Sequence, residues 1–188
     1  MKLGIIIGST RQGRVSDRLA KWVQKEATTN PDLEVTMLDL RDYEMPFFDE
    51  EISPQYNSNR QTTGVVKDWL DAVADQDAYV FVTPEYNRSF SAVLKNALDY
   101  VAYEMKGKPV GIATHGSANG AQAVAQLRGV IPGVLAISVP TFVGIPYAEM
   151  LDFSEDGTPS EATLKARGGA VEGMLMEITN LAKVSQTA

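Results

Sequence analysis

Short runs of buried-type residues alternate five times with longer stretches of helical period, and few folds accept that order. Leu3 to Gly8 is a continuous apolar run ending in Gly-Ser-Thr, which suits a strand covered on both faces. Val15, Leu19, Trp22, Val23 and Ala27 then recur at three- and four-residue spacing among polar residues, predicting an amphipathic helix closed by Asn30-Pro31. Glu34 to Leu38 reads as a second strand, and Val65, Val66, Trp69, Leu70 and Val73 mark a second helix. Ala78 to Thr83, closed by Pro84, reads as the most deeply buried strand. The pattern continues with a helix over Ser89 to Tyr103, a strand over Pro109 to Thr114 and a helix over Asn119 to Val130. A fifth strand over Leu135 to Val139 and a last helix from Ser160 to about Lys183, with Ser160 near its cap, complete it. Gly168, Gly169 and Gly173 weaken that last helix unless they permit close packing. Five βα units in series predict an α/β fold, a parallel sheet with helices on both faces. No repeat or linker divides the 188 residues, so the chain reads as a single domain over 1–188.

Two stretches fit no element. Arg41 to Arg60 carries Met45-Pro46-Phe47-Phe48 among carboxylates and reads as a lid or wall; Phe142 to Pro159 reads as a Pro- and Gly-punctuated loop.

Composition narrows the chemistry. With no cysteine and one histidine, the chain has no disulfide frame, no thiolate zinc or iron–sulfur site, no cysteine nucleophile and no multi-histidine metal centre of its own. A net charge of −7 argues against wide contact with nucleic acid. The longest apolar runs, such as Tyr79 to Val82, are far short of the roughly 20 residues that span a bilayer. Met1-Lys2-Leu3 runs straight into a strand, which leaves no room for a signal peptide, so a cytoplasmic protein without membrane insertion is expected.

Ligands of open parallel sheets sit beyond the carboxyl ends of the strands, where strand order reverses. Three loops belong there. Gly8 to Ser16 joins a strand to a helix, with Ser9, Thr10 and Ser16 as hydroxyl donors and Arg11 and Arg14 as cations. Such a turn can surround one terminal phosphate. It has neither the Walker spacing nor Gly-x-Gly-x-x-Gly. A polar turn with solvated arginines and Ser16 as an N-cap is the competing reading. Pro84-Glu85-Tyr86-Asn87-Arg88-Ser89 follows the third strand, with free amides for a ligand edge, Tyr86 to flank a flat ring and Ser89 to cap the next helix; a bare turn competes evenly. Thr114 to Gly120 has small residues that let backbone approach a ligand. His115 lies in it, but a lone histidine at a strand end is more often packed or solvated than catalytic. Asp49-Glu50-Glu51 reads as a solvated loop rather than a metal site.

Together these loops resemble those of the NAD(P)H-dependent FMN reductase family of flavodoxin-like proteins, with its quinone, azo-dye and chromate reductases. The matching residues are Gly8-Ser9-Thr10-Arg11-x-Gly13-Arg14, Pro84-Glu85-Tyr86-Asn87-x-Ser89 and Leu94-Lys95-Asn96-Ala97-Leu98-Asp99, with a looser match at Gly116 to Gly120. Ala92-Val93 replaces a frequent Pro-Gly pair, and Arg14-Val15-Ser16 replaces a common Ser-x-Asn. The resemblance implies a three-layer sandwich of strand order 2-1-3-4-5. It implies non-covalent FMN, with Ser9, Arg11, Arg14, Val15 and Ser16 around the phosphate, Pro84, Glu85, Tyr86 and Asn87 along the isoalloxazine edge and Ser117 near the pyrimidine end. It further implies NAD(P)H as reductant, a small-molecule acceptor such as a quinone, free flavin or azo dye, and a homodimer or homotetramer. No catalytic side chain and no metal are expected, because the flavin carries the redox chemistry. A flavodoxin-type electron carrier is the alternative.

Overall fold

The computed structural model describes residues 1–185. Its elements are β1 (Lys2–Ile7), α1 (Ser16–Thr28), β2 (Glu34–Asp39), α2 (Gly64–Ala74), β3 (Ala78–Pro84), α3 (Ala92–Asp99), β4 (Pro109–Gly116), α4 (Ala121–Val130), β5 (Ile137–Pro146), α5 (Tyr147–Met150) and α6 (Glu161–Ser185). All strand pairs are parallel, in the order β2-β1-β3-β4-β5, with the reversal between β1 and β3. This is the flavodoxin-like order.

The central strands are apolar throughout because both faces are covered. Successive side chains point to opposite faces. Ile5, Ile7, Val80 and Val82 therefore meet Leu19, Trp22 and Val23 of α1 and Val171, Met174 and Ile178 of α6. Ile6, Tyr79 and Phe81 meet Trp69 of α2, Leu94 and Leu98 of α3 and Leu127 of α4. The result is three layers, with five loops emerging at one sheet edge.

Two elements, the third helix and the fifth strand, differ most from the sequence expectation. The helix expected from Ser89 begins at Ala92, and Ser91, not Ser89, caps it: Leu94 N–H donates to Ser91 Oγ at 3.3 Å. Ser89 is instead paired with Tyr86 in a tight turn. At its other end that helix stops at Asp99.

The fifth strand runs seven residues beyond Val139, through the segment read as loop. Pro140 sits where the β4–β5 register shifts, between the Val110–Ser138 and Ile112–Phe142 pairs. β5 is an edge strand, where proline at an irregularity costs little. The backbone freed there finds other partners: Thr141 N–H donates to Glu177 Oε2 of α6 at 2.8 Å, Thr141 Oγ1 donates to Glu177 Oε1 at 2.7 Å, and Arg128 donates to the Pro140 carbonyl.

Of the lid-or-wall alternatives for 41–60, the structure has a wall. Asn96 on α3 accepts from Phe48 N–H at 2.9 Å and donates to the Pro46 carbonyl at 2.8 Å. Tyr43 packs edge-on against Trp69, Phe48 against Tyr100, and Arg60 grips Glu50. In α6, Ser160 Oγ accepts from Thr163 N–H, as its place near the cap suggests. Close packing accounts for none of the α6 glycines: Gly169 faces open space, and a side chain at Gly168 or Gly173 would make only ordinary contact.

Candidate functional site

A cleft of about 300 Å³ opens at the carboxyl edge of the sheet, between the loops after β1, β3 and β4. Arg11, Arg14, Val15 and Ser16 come from the first loop and the start of α1; Pro84, Glu85 and Tyr86 from the second; His115, Gly116 and Ser117 from the third. Tyr147, at the start of α5, completes the wall. Eight of the ten residues selected from sequence therefore line one cavity. Of the other two, Ser9 is buried with its hydroxyl 3.4 Å from Tyr86 Oη, and Asn87 stands exposed at the tip of its turn.

The two arginines of the first loop do different work. The Arg14 side chain is 7% exposed, and its guanidinium donates to Asp39 Oδ1 and to the Ser9 carbonyl, each at 2.6 Å, and also to Asp39 Oδ2. Burial alone would raise the Asp39 carboxyl, but the hydrogen bonds from Arg14 and from Arg41 N–H outweigh it and hold it below its ordinary value. The same hydrogen bond to Asp39 raises Arg14. Arg14 is thus a clip that ties the loop to the end of β2, with its charge compensated. Arg11 is exposed, its guanidinium carbon is 6.0 Å from the centroid of the Tyr86 ring, and it has no carboxylate partner among the described residues. The loop's uncompensated cation is Arg11.

Ser16 opens α1, whose N-cap Val15 has no capping side chain. The first-turn N–H groups of a helix lack intrahelical acceptors and face its N-terminal side. The Ser16 hydroxyl is buried, with Oγ 2.8 Å from His115 Nε2. His115 is 5% exposed, and burial together with the charge of Arg11 pushes its pKa down to about 4. The imidazole is neutral at pH 7.

The second loop spends more of its amides than expected. Glu85 N–H donates to the His115 carbonyl at 2.8 Å, and Tyr86 N–H to the Ser89 carbonyl at 2.8 Å. Asn87 and Arg88 have φ of 49° and 66°, the paired left-handed geometry of a two-residue hairpin turn. This turn, the competing reading of the segment, withdraws the Tyr86 amide from any ligand, and pairing with the end of β4 withdraws that of Glu85. The Glu85 carboxylate accepts from Gln122 N–H at 2.9 Å, so it ties the second loop to the start of α4.

Glycine is required at two points of the third loop. A Cβ at Gly116 would lie 2.8 Å from Glu85 Cβ, and one at Gly120, where φ is 71°, would lie 1.4 Å from Thr114 Oγ1. Gly116 thus lets the third loop lie close against the second, and Gly120 lets it fold back onto the end of β4.

Three residues lining the cleft lie outside the ten selected: His115, Gly116 and Tyr147. His115, expected to be packed or solvated rather than catalytic, is packed and also lines the cleft. Tyr147 was hidden by the short reading of β5, since a strand ending at Val139 does not reach this edge.

The model of the NADPH-dependent FMN reductase family matches residues 1–149. The NAD(P)H-dependent FMN reductase ntnL of Nectria sp is 36% identical over 173 residues, covering 88% of this chain and 86% of the relative. An FMN-dependent NADPH-azoreductase of Staphylococcus haemolyticus is 35% identical over 160 residues, 84% and 83% of the two chains. Among solved structures, the flavoenzyme NAD(P)H:(acceptor) oxidoreductase FerB from Paracoccus denitrificans superposes with a TM-score of 0.74 at 25% identity, covering 95% of this chain and 97% of FerB. Azoreductase AzrA superposes at 0.58 with 15% identity over the full length of both chains, a likeness of fold. With its strand order, its three loops and these matches, the chain belongs to the NADPH-dependent FMN reductase family.

Proposed function

We propose that this protein is a single flavodoxin-like domain that binds FMN in the cleft and uses NAD(P)H to reduce a small-molecule acceptor, a quinone, free flavin or azo dye. The observation that carries this reading is the division of the cleft into an anion end and a flat end. At the anion end, Arg11 brings uncompensated charge in an otherwise acidic molecule, and Ser16 brings a buried hydroxyl beside the α1 N-terminus. Backbone N–H groups at a helix start and a free guanidinium suit a phosphate monoester. At the flat end, the Tyr86 ring and the close-set backbone at Gly116 and Ser117 suit an isoalloxazine edge.

Bound FMN supplies the two-electron redox centre that links nicotinamide to acceptor. The chain's own part is to hold and orient it. Arg14 and Asp39 fix the first loop, Pro84 and Glu85 fix the second, and the glycines let the third approach. Among the described residues no helix is long and apolar enough to cross a membrane. A cytoplasmic homodimer or homotetramer is the assembly in keeping with this reading, supported by the exposed apolar residues Phe47, Tyr56 and Tyr103.

The visible spectrum tests the proposal. The protein reconstituted with FMN is expected to be yellow and to bleach within seconds to minutes of anaerobic NADPH addition. A yellow protein that does not bleach would be an electron carrier, and one that takes up no FMN would sink the reading altogether.

A further inference from the structure

The Ser16–His115 contact is buried in the cleft, and the proposed function gives its histidine no role. It joins the end of β4 to the first residue of α1, 99 positions apart in sequence. Both partners are held firmly. His115 pairs with Pro84 and Ile145 in the sheet register, and its carbonyl accepts from Glu85 N–H. Ser16 is the first residue inside α1, after the N-cap Val15, and no side chain caps the helix.

A neutral imidazole has one N–H, so its two tautomers arrange this contact in opposite ways. With hydrogen on Nδ1, the Ser16 hydroxyl must donate to Nε2, and only its lone pairs are left for the cleft. With hydrogen on Nε2, the ring donates to Ser16 Oγ, and the hydroxyl hydrogen is released. An anion beside Arg11 is repelled by the first arrangement and satisfied by the second. We infer that His115 is a positioning residue for the phosphate end of the site: its Nε2–H donates to Ser16 Oγ and so turns the Ser16 hydroxyl into the cleft as a donor to the FMN phosphate. The role rests on the proposed FMN site and adds to it the residue that sets a ligand's hydrogen-bond polarity. Loss of that donor weakens phosphate-bearing ligands selectively, whereas loss of packing weakens all ligands alike.

The single histidine makes the test direct, since 15N-labelled protein yields one imidazole spin system. Long-range 1H–15N spectra of the FMN complex are expected to show Nε2 protonated and Nδ1 bare; hydrogen on Nδ1 overturns the inference. In parallel, dissociation constants for FMN and for riboflavin, which lacks the phosphate, are measured for wild type, His115→Phe and His115→Gln. The Phe variant is expected to bind FMN more weakly on the order of tenfold, the size of one charge-assisted hydrogen bond, with riboflavin binding unchanged. The Gln variant, whose amide can reach Ser16 as Nε2 does, is expected to restore the FMN value. Equal loss for both ligands, or no loss for FMN, overturns the role of His115. If wild type itself does not prefer FMN over riboflavin, the phosphate assignment falls and the role falls with it. That outcome is distinct from an intact preference that His115→Phe leaves untouched. Should the Phe variant not fold, the wild-type tautomer decides alone.

Discussion

Arg11 and Arg14 stand three positions apart and differ in what holds them. Removing Arg14 strands a partly buried Asp39 carboxylate, a loss that costs on the order of 3 kcal/mol for a buried pair. Arg14→Ala is therefore expected to lower the urea midpoint of the FMN-free protein. Arg11→Ala is expected to leave that midpoint in place and to weaken FMN binding by about 1–3 kcal/mol, the range for one hydrogen bond to a charged group. Unchanged FMN affinity in Arg11→Ala removes Arg11 from the site. His115 gives a prediction in pH. Above pH 6.5 the imidazole is neutral whether the chain is folded or not, and its full contribution to stability is present. As pH falls from 6.5 toward 4, the unfolded chain takes up a proton that the folded one, with its pKa depressed to about 4, does not. Stability then declines, reaching a loss of about 3 kcal/mol before it levels off below pH 4. Urea unfolding at pH 7.5 and 4.5 is expected to show a larger loss in wild type than in His115→Gln; equal losses would contradict the depressed pKa.

At the scale of elements, side chains from neighbouring helices help fasten the wall over 41–60 and the irregularity in β5. Asn96 alone makes two hydrogen bonds to the wall. Asn96→Ala is expected to cost about 1–3 kcal/mol, two bonds of modest net worth, and to raise hydrogen exchange of the Phe48 amide while leaving β3 amides protected. Slow exchange at Phe48 in the variant would show that Tyr43 and Phe48 packing suffices. The Leu94 to Asp99 motif was legible as a helix, yet what Asn96 holds was not, because its partner lies 48 positions away. β5 outruns its expected end at Val139 for a related reason. Proline argues against a central strand, and only the finished sheet shows β5 at an edge, with Glu177 of α6 taking the N–H of Thr141.

For the molecule as a whole, the cleft lies where β1, β3 and β4 end, so a ligand there braces three loops at once. FMN at a hundredfold excess over its dissociation constant is expected to stabilise the folded state by about 2.7 kcal/mol through binding linkage. Thermal unfolding with and without FMN checks this, and a midpoint that ignores FMN would show that the folded chain does not bind it. The layered fold and the edge on which the site lies were both readable from the chain, because period and burial are local properties: an apolar run covered on both faces is written in consecutive residues. So was the set of three loops. What each loop residue does was not. Whether an arginine is free or clipped and whether a lone histidine faces a cleft depend on partners 25 to 99 positions distant, and whether an amide is spent within a hairpin turn depends on the conformation the loop takes between packed elements. Sequence determined the elements, their order and the residue types gathered at one edge. Tertiary structure alone decided which of those charges and hydrogen-bond donors remain available, because availability is set by the neighbours that packing brings into reach.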